Sequence, residues 1–168
     1  MESATIMRPA APEAELIGKD KKHPVVEIFG PVLQGEGPLA GSKTMFVRFG
    51  GCDYRCAKCD SLHAVIPAAV KKHARRLTPQ EIADELIPKA KATGTPWVTF
   101  SGGNPCMHDL NMLISLLAGA EMAVAVETQG TLAPTWLKRC QMIVVSPKSP
   151  GLGEYHNLQS SRNAGIPC

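Results

Sequence analysis

The chain has 168 residues, room for one domain that buries roughly 70% of its extended-chain surface without cross-links. Lys and Arg number 18 against 15 Asp and Glu, a net charge of +3 too mild to mark a nucleic-acid binder, and aromatics at 5% argue against a stacked-base platform. The 44% apolar share is that of a globular protein, no run approaches the 18 or so apolar residues of a membrane span, and residues 1–24 lack a secretion-signal pattern.

Six cysteines in such a chain are therefore expected in a reducing cytoplasm, where clustered thiols serve as metal or redox ligands. Residues 1–24 are rich in Ala, Pro, Glu and Lys without periodicity and read as a mobile extension. Val25 to Phe29 reads as a strand, followed by a Gly/Pro-rich loop from Gly30 to Pro38; Thr44 to Phe49 reads as a second strand, ended by Gly50-Gly51 directly before Cys52.

Thr78-Pro79-Gln80-Glu81 predicts a helix start, with Thr at the N-cap, Pro at the first helical position and Glu placed for a capping box. That helix should run to about Lys91 with Ile82, Ala83, Leu86 and Ile87 on one face, and Pro88 is placed to kink or shorten it. Trp97 to Phe100 predicts a short apolar strand. Ser101-Gly102-Gly103-Asn104-Pro105 then turns the chain into another helix, capped by Asn104, with Leu110, Leu113, Ile114 and Leu117 as its buried stripe. Met122 to Glu127 and Gln141 to Val145 complete a run of apolar strands separated by helical stretches, the signature of a parallel sheet in an α/β fold. The core is expected over residues 25–150; residues 151–168 offer neither a strand nor an amphipathic helix.

The sharpest chemical feature is Cys52-Asp53-Tyr54-Arg55-Cys56-Ala57-Lys58-Cys59, three thiols on one loop after a strand. An iron–sulfur cube takes four cysteines, so three leave one iron open to a substrate; Arg55 and Lys58 would help keep the thiolates ionised. Judged alone, the same spacing fits a closed zinc site completed by His63 equally well. Cys106, Cys140 and Cys168 are scattered, and the first two read as small buried apolar side chains.

Other polar clusters also follow predicted strands. They are Gln34-Gly35-Glu36-Gly37, Ser101-Gly102-Gly103, Glu127-Thr128-Gln129-Gly130 and Ser146-Pro147-Lys148, with Arg48 on the second strand. Ligands of parallel α/β folds sit at the C-terminal strand ends, and two glycines let backbone approach a ligand closely. Singly each cluster reads as a solvated loop. Together they outline a pocket suited to a polar, partly anionic small molecule.

The cysteine triplet resembles the cluster motif of radical S-adenosylmethionine (SAM) enzymes, and SGGNP resembles their glycine motif for the methionine end of SAM. LQGEG, FVRFGGC, the Cys59-Asp60-Ser61 continuation, ETQGT and SPK together resemble the 7-carboxy-7-deazaguanine synthase family over about Val25 to Pro150. The resemblance implies a partial radical SAM β/α barrel with a mostly parallel sheet. It also implies a [4Fe–4S] cluster on Cys52, Cys56 and Cys59 whose open iron is chelated by SAM, giving a 5′-deoxyadenosyl radical on reduction. That radical would convert 6-carboxy-5,6,7,8-tetrahydropterin to 7-carboxy-7-deazaguanine with loss of ammonia, SAM being recycled, in 7-deazapurine and queuosine synthesis without direct nucleic-acid contact.

Residue by residue, the resemblance assigns Leu33, Gln34, Gly35, Glu36, Arg48 and Ser101 to substrate, with the arginine suited to a carboxylate. It assigns Lys58, Cys59, Asp60, Gly103, Ser146, Pro147 and Lys148 to SAM, and the hydroxyl of Ser61 to Mg²⁺. It further implies a cytoplasmic homodimer, no membrane contact, and an electron donor of the flavodoxin or ferredoxin kind. Asn104 stands where the superfamily motif often has Glu. The residues after SPK match nothing in the family, whose members continue with further strands, so a chain of this length is expected to be poorly stable and weakly active. Two other readings remain open: a radical SAM activase that places a glycyl radical on a partner protein, and a non-enzymatic zinc module.

Overall fold

The computed structural model describes residues 20–148 and the backbone of Gly153–Tyr155. Strand β1 (His23–Leu33) leads through a Gly/Pro-rich loop into β2 (Lys43–Phe49); the cysteine loop carries the short β3 (Tyr54–Cys56), then come α1 (Leu62–Val65), α2 (Pro67–His73) and β4 (Arg75–Leu77). Helix α3 (Pro79–Ala92), β5 (Trp97–Gly102), α4 (Asn111–Gly119), β6 (Ala123–Thr128) and β7 (Met142–Val145) follow, and β8 (Gly153–Tyr155) pairs antiparallel with β3. Most of the expected N-terminal extension and of the expected irregular tail lies outside the described residues. The described parts add two strand segments there: β1 begins at His23, before Val25, and β8 falls in a stretch whose composition gave no strand signal.

Six strands form one sheet in the order β4-β1-β2-β5-β6-β7. β2, β5, β6 and β7 run parallel, whereas β1 pairs antiparallel with both β2 and β4. The α/β class and mostly parallel sheet expected from the apolar strands are thus present, with an antiparallel edge.

The pleat divides the parallel strands cleanly. Met45, Val47 and Phe49 of β2, Val98 and Phe100 of β5, and Val124 and Val126 of β6 point to one face, where they pack with Ile82, Ala83, Leu86 and Ala90 of α3 and Leu110, Leu113, Ile114 and Leu117 around α4. Burying each large apolar side chain contributes roughly 1.5–3 kcal/mol. The alternate residues, Phe46 and Arg48 of β2, Ser101 of β5 and Glu127 of β6, take the opposite face, the concave side that carries the site.

Local sequence explains the helices. Thr78 accepts from the Glu81 amide while the Glu81 carboxylate accepts from the Thr78 amide, the complete capping box, and α3 continues through Pro88 to Ala92. Asn104 caps only a short 3₁₀ turn, Pro105–Met107, so the expected helix starts later, at Asn111, with its apolar stripe as expected. The proline ring takes the first position, and the chain turns again at His108 before α4 begins.

Candidate active site

A cavity of about 790 Å³ opens at the C-terminal ends of the parallel strands. Of the residues singled out in the sequence, Leu33, Gln34, Gly35, Glu36, Arg48, Cys52, Cys56, Lys58, Cys59, Asp60, Ser61, Ser101, Gly103, Ser146 and Lys148 line it; Pro147 does not. His63, the candidate fourth zinc ligand, also stays outside the lining, its Nε2 lying 3.8 Å from Glu27 Oε1.

The cysteine loop is fixed to the strand ends by backbone bonds. Gly51 donates to Ala64 and accepts from Asn104, and the Gly103 amide donates to Phe49. The approach is so close that a Cβ at Gly103 would stand 2.0 Å from the Gly51 oxygen, and one at Gly102, whose φ is +124°, would stand 2.1 Å from the Phe49 oxygen. Only glycine permits this meeting of the two loops. Arg55 folds back, donating to the carbonyls of Cys52 and Tyr54 at 2.6 and 3.0 Å. Burial pushes the Cys52 thiol above its ordinary pKa; the Tyr54 amide, Arg55 and Gln129 pull the other way, and the Asp53 charge adds to the rise.

The adjoining wall is polar and pre-arranged. Gln34 donates through Nε2 to Glu127 Oε1 at 2.7 Å and accepts the Gly35 amide at 2.8 Å, so the first loop is tied to the end of β6. Arg48 donates from Nε to Glu27 at 3.1 Å and from one terminal nitrogen to the Ser61 hydroxyl at 3.0 Å; that hydroxyl donates in turn to Asp60. Phe29 and Phe46, paired across β1 and β2, stack at 5.0 Å and floor this wall, with the Arg48 guanidinium 5.6 Å above the Phe29 ring. Lys148 Nζ donates to Ser146 Oγ at the remaining side.

Sequence reading missed Phe29, Phe46 and Tyr54, whose apolar character masks them among core residues, and above all Asp53. Asp53 is 1% exposed, and its carboxylate accepts from Asn104 Nδ2 at 2.7 Å, from Gln129 Nε2 at 2.6 Å and from the Thr131 hydroxyl. A buried carboxylate inside a cysteine triplet looks in the sequence like one more charged loop residue.

The three thiols fit an iron–sulfur cluster. They are partly accessible and share one cavity wall beside the glycine cradle, and among the described residues no three His, Cys, Asp or Glu side chains converge on a single-ion position. A cluster takes its thiolates at separate iron corners, and three cysteines leave one iron open.

Residues 33–138 match the 4Fe-4S single cluster domain family. The chain belongs to that family. Within it, this 4Fe-4S single cluster domain is similar to 7-carboxy-7-deazaguanine synthase of Bacillus cereus, 45% identical over 130 residues that cover 77% of this chain and 54% of that protein. It is similar also to the synthase of Bacillus subtilis, 43% identical over 137 residues, 81% of this chain and 56% of that one. The chain thus spans about half the length of the curated relatives it matches. Its fold resembles that in the crystal structure of QueE from Escherichia coli, with a TM-score of 0.68 and 25% identity over 91% of this chain and 72% of that one.

Proposed function

We propose that this 4Fe-4S domain is the cluster- and SAM-binding part of a radical SAM lyase that converts 6-carboxy-5,6,7,8-tetrahydropterin to 7-carboxy-7-deazaguanine. The single observation that carries the reading is the shared cavity: three thiols, a glycine cradle, an arginine and an amide–carboxylate pair line one space.

When bound, the cluster and SAM would supply one-electron, radical-based hydrogen abstraction. Cys52, Cys56 and Cys59 would hold the cluster, and Gly103, Lys58, Asp60, Ser146 and Lys148 would border SAM; Pro147, outside the lining, would only set the turn between the last two. The chain's own residues do the orienting. Arg48 presents a planar fork to the pterin carboxylate, and its Nε bond to Glu27 keeps that fork in place. Gln34 and Glu127 offer a donor and acceptor pair suited to the polar edge of a pterin, with Leu33, Gly35, Glu36 and Ser101 around it. The stacked Phe29 and Phe46 keep water off the ring.

Ser61 would offer its hydroxyl to Mg²⁺, next to the Asp60 carboxylate. The reading puts the radical SAM core at residues 25–150 of the sequence. The reading places the protein as a cytoplasmic homodimer served by a flavodoxin- or ferredoxin-like donor, in the pathway that modifies tRNA but without touching it. Among the described residues no helix is long and apolar enough to cross a membrane.

The test is anaerobic reconstitution with iron and sulfide, then incubation with SAM, reductant, Mg²⁺ and the carboxypterin. The expected result is a brown protein that releases ammonia and the deazapurine with SAM regenerated, and that forms 5′-deoxyadenosine only by abortive cleavage when the carboxypterin is left out, with Cys56→Ala abolishing both. A chain that binds one zinc and refuses iron overturns the proposal.

A further inference from the structure

Asp53 is a hydrogen-bond hub that joins all three loops of the cavity's cluster side. It lies between the first two thiols of the triplet; Asn104 belongs to the glycine loop after β5; Gln129 and Thr131 belong to the loop after β6. The polarity of the Asn104 side chain is dictated by its other contacts. Asn104 Oδ1 accepts from the Cys106 amide at 3.2 Å and from the Thr128 hydroxyl at 2.9 Å, and since an amide N–H can only donate, the side-chain nitrogen of Asn104 must face Asp53. Gln129 likewise must turn its nitrogen to the carboxylate, which leaves that same nitrogen 3.7 Å from Cys52 Sγ.

We propose that Asp53 is a positioning residue: its carboxylate clamps the cysteine loop to the two neighbouring strand-end loops and aims the Gln129 side-chain nitrogen at the Cys52 sulfur. The proposal rests on the cluster reading above. It explains why an amide stands at position 104. A carboxylate there would face Asp53 at hydrogen-bond distance in a site closed to water, which is strongly unfavourable without a proton or cation between them. It also gives Gln129 a task, because donors to cluster sulfurs help set the reduction potential.

The experiment is a double-mutant cycle read in two ways. Thermal unfolding of the purified chain is measured for wild type, Asp53→Asn, Asn104→Asp and the double variant. Asp53→Asn keeps an acceptor for Asn104 and Gln129 and turns an amide toward Thr131, whose hydroxyl can accept, so its melting temperature should change little. Asn104→Asp should melt well below wild type or fail to fold. The double variant should recover, because the amide at 53 now donates to the carboxylate at 104. Losses that add in the double variant overturn the clamp, as does a double variant that stays unfolded.

The second reading is the cluster midpoint potential. In the double variant Gln129 must flip to offer its carbonyl to the new amide, so the sulfur loses its donor even though the fold is restored. Its potential should fall below that of wild type, and Gln129→Leu should shift it in the same direction. A recovered melting temperature with unmoved potentials in both variants makes Asp53 a structural tie and overturns the positioning role. A wild-type chain that takes up no cluster overturns the functional reading and the positioning role together, while the melting cycle still decides whether the loops are clamped.

Discussion

Arg48 and Ser61 are joined by a 3.0 Å hydrogen bond, guanidinium to hydroxyl, while the Nε of the same arginine is held 3.1 Å from Glu27. The fork is therefore oriented from behind, leaving donors for a ligand in the cavity. A lysine offers one point charge and cannot keep both protein bonds and reach a carboxylate in the same plane. Arg48→Lys should raise KM for the carboxypterin roughly ten- to a hundredfold, the equivalent of one lost charged hydrogen bond at about 1.5–3 kcal/mol, with a smaller change in kcat. Steady-state kinetics check this, and an unchanged KM would remove the arginine from substrate binding.

Ser61 sits between a guanidinium and the Asp60 carboxylate. A cation at its hydroxyl is repelled by Arg48, so it needs Asp60 and a ligand carboxylate to offset that charge. Ser61→Ala should therefore weaken the Mg²⁺ stimulation of turnover while leaving the cluster absorption intact. Superimposable Mg²⁺ titrations for variant and wild type would take the metal away from this hydroxyl.

At Gly103 the expected effect is on folding before it is on chemistry. The added Cβ of alanine would stand 2.0 Å from the Gly51 oxygen and 2.9 Å from that of Ala64, both backbone atoms that cannot swing aside. Gly103→Ala should cost at least about 1–3 kcal/mol in urea unfolding, the usual range for overpacking, and should weaken SAM binding in step. Gly119, in α4, has open space around it, so Gly119→Ala should be neutral or slightly stabilising. Equal stabilities for the two variants would contradict the close approach.

Features whose cause is local were readable in the sequence. The capping box at Thr78, the stripe from Leu110 to Leu117 and the parallel apolar strands depend on neighbours within a few positions, and the ordered motifs placed almost every chosen site residue around one cavity. What escaped depends on pairing across the chain. β3 and β4 are three-residue strands that exist only because β8 and β1 lie beside them, and β1 runs on through Gly30-Pro31 because β2 holds it. Asp53 gains its role from side chains 51 to 78 positions away. Phe29 and Phe46 look like core residues until the pleat shows which face they take.

A buried histidine pair sets the acid limit of this fold. His23, 1% exposed, stands edge-on to Phe49 and His108, and its Nε2 has no hydrogen-bond partner among the described residues; His108 is tied to the Gly50 carbonyl at 3.0 Å. Burial lowers both imidazoles to about 4, helped for His23 by Lys21 and Arg76 against the opposing pull of Asp109, and for His108 by His23 itself. In the unfolded chain they titrate near 6.5, so the unfolded state binds more protons between these values. Stability is therefore complete above about pH 6.5 and falls as pH drops toward 4, by up to roughly 3 kcal/mol per imidazole. His23→Phe keeps an aromatic ring against Phe49 and removes one of the two protonation sites. Urea midpoints measured from pH 7.5 to 4.5 should thus fall less steeply for the variant than for wild type, with its largest relative gain at the acid end. Parallel curves would show that protonation of His23 does not oppose folding.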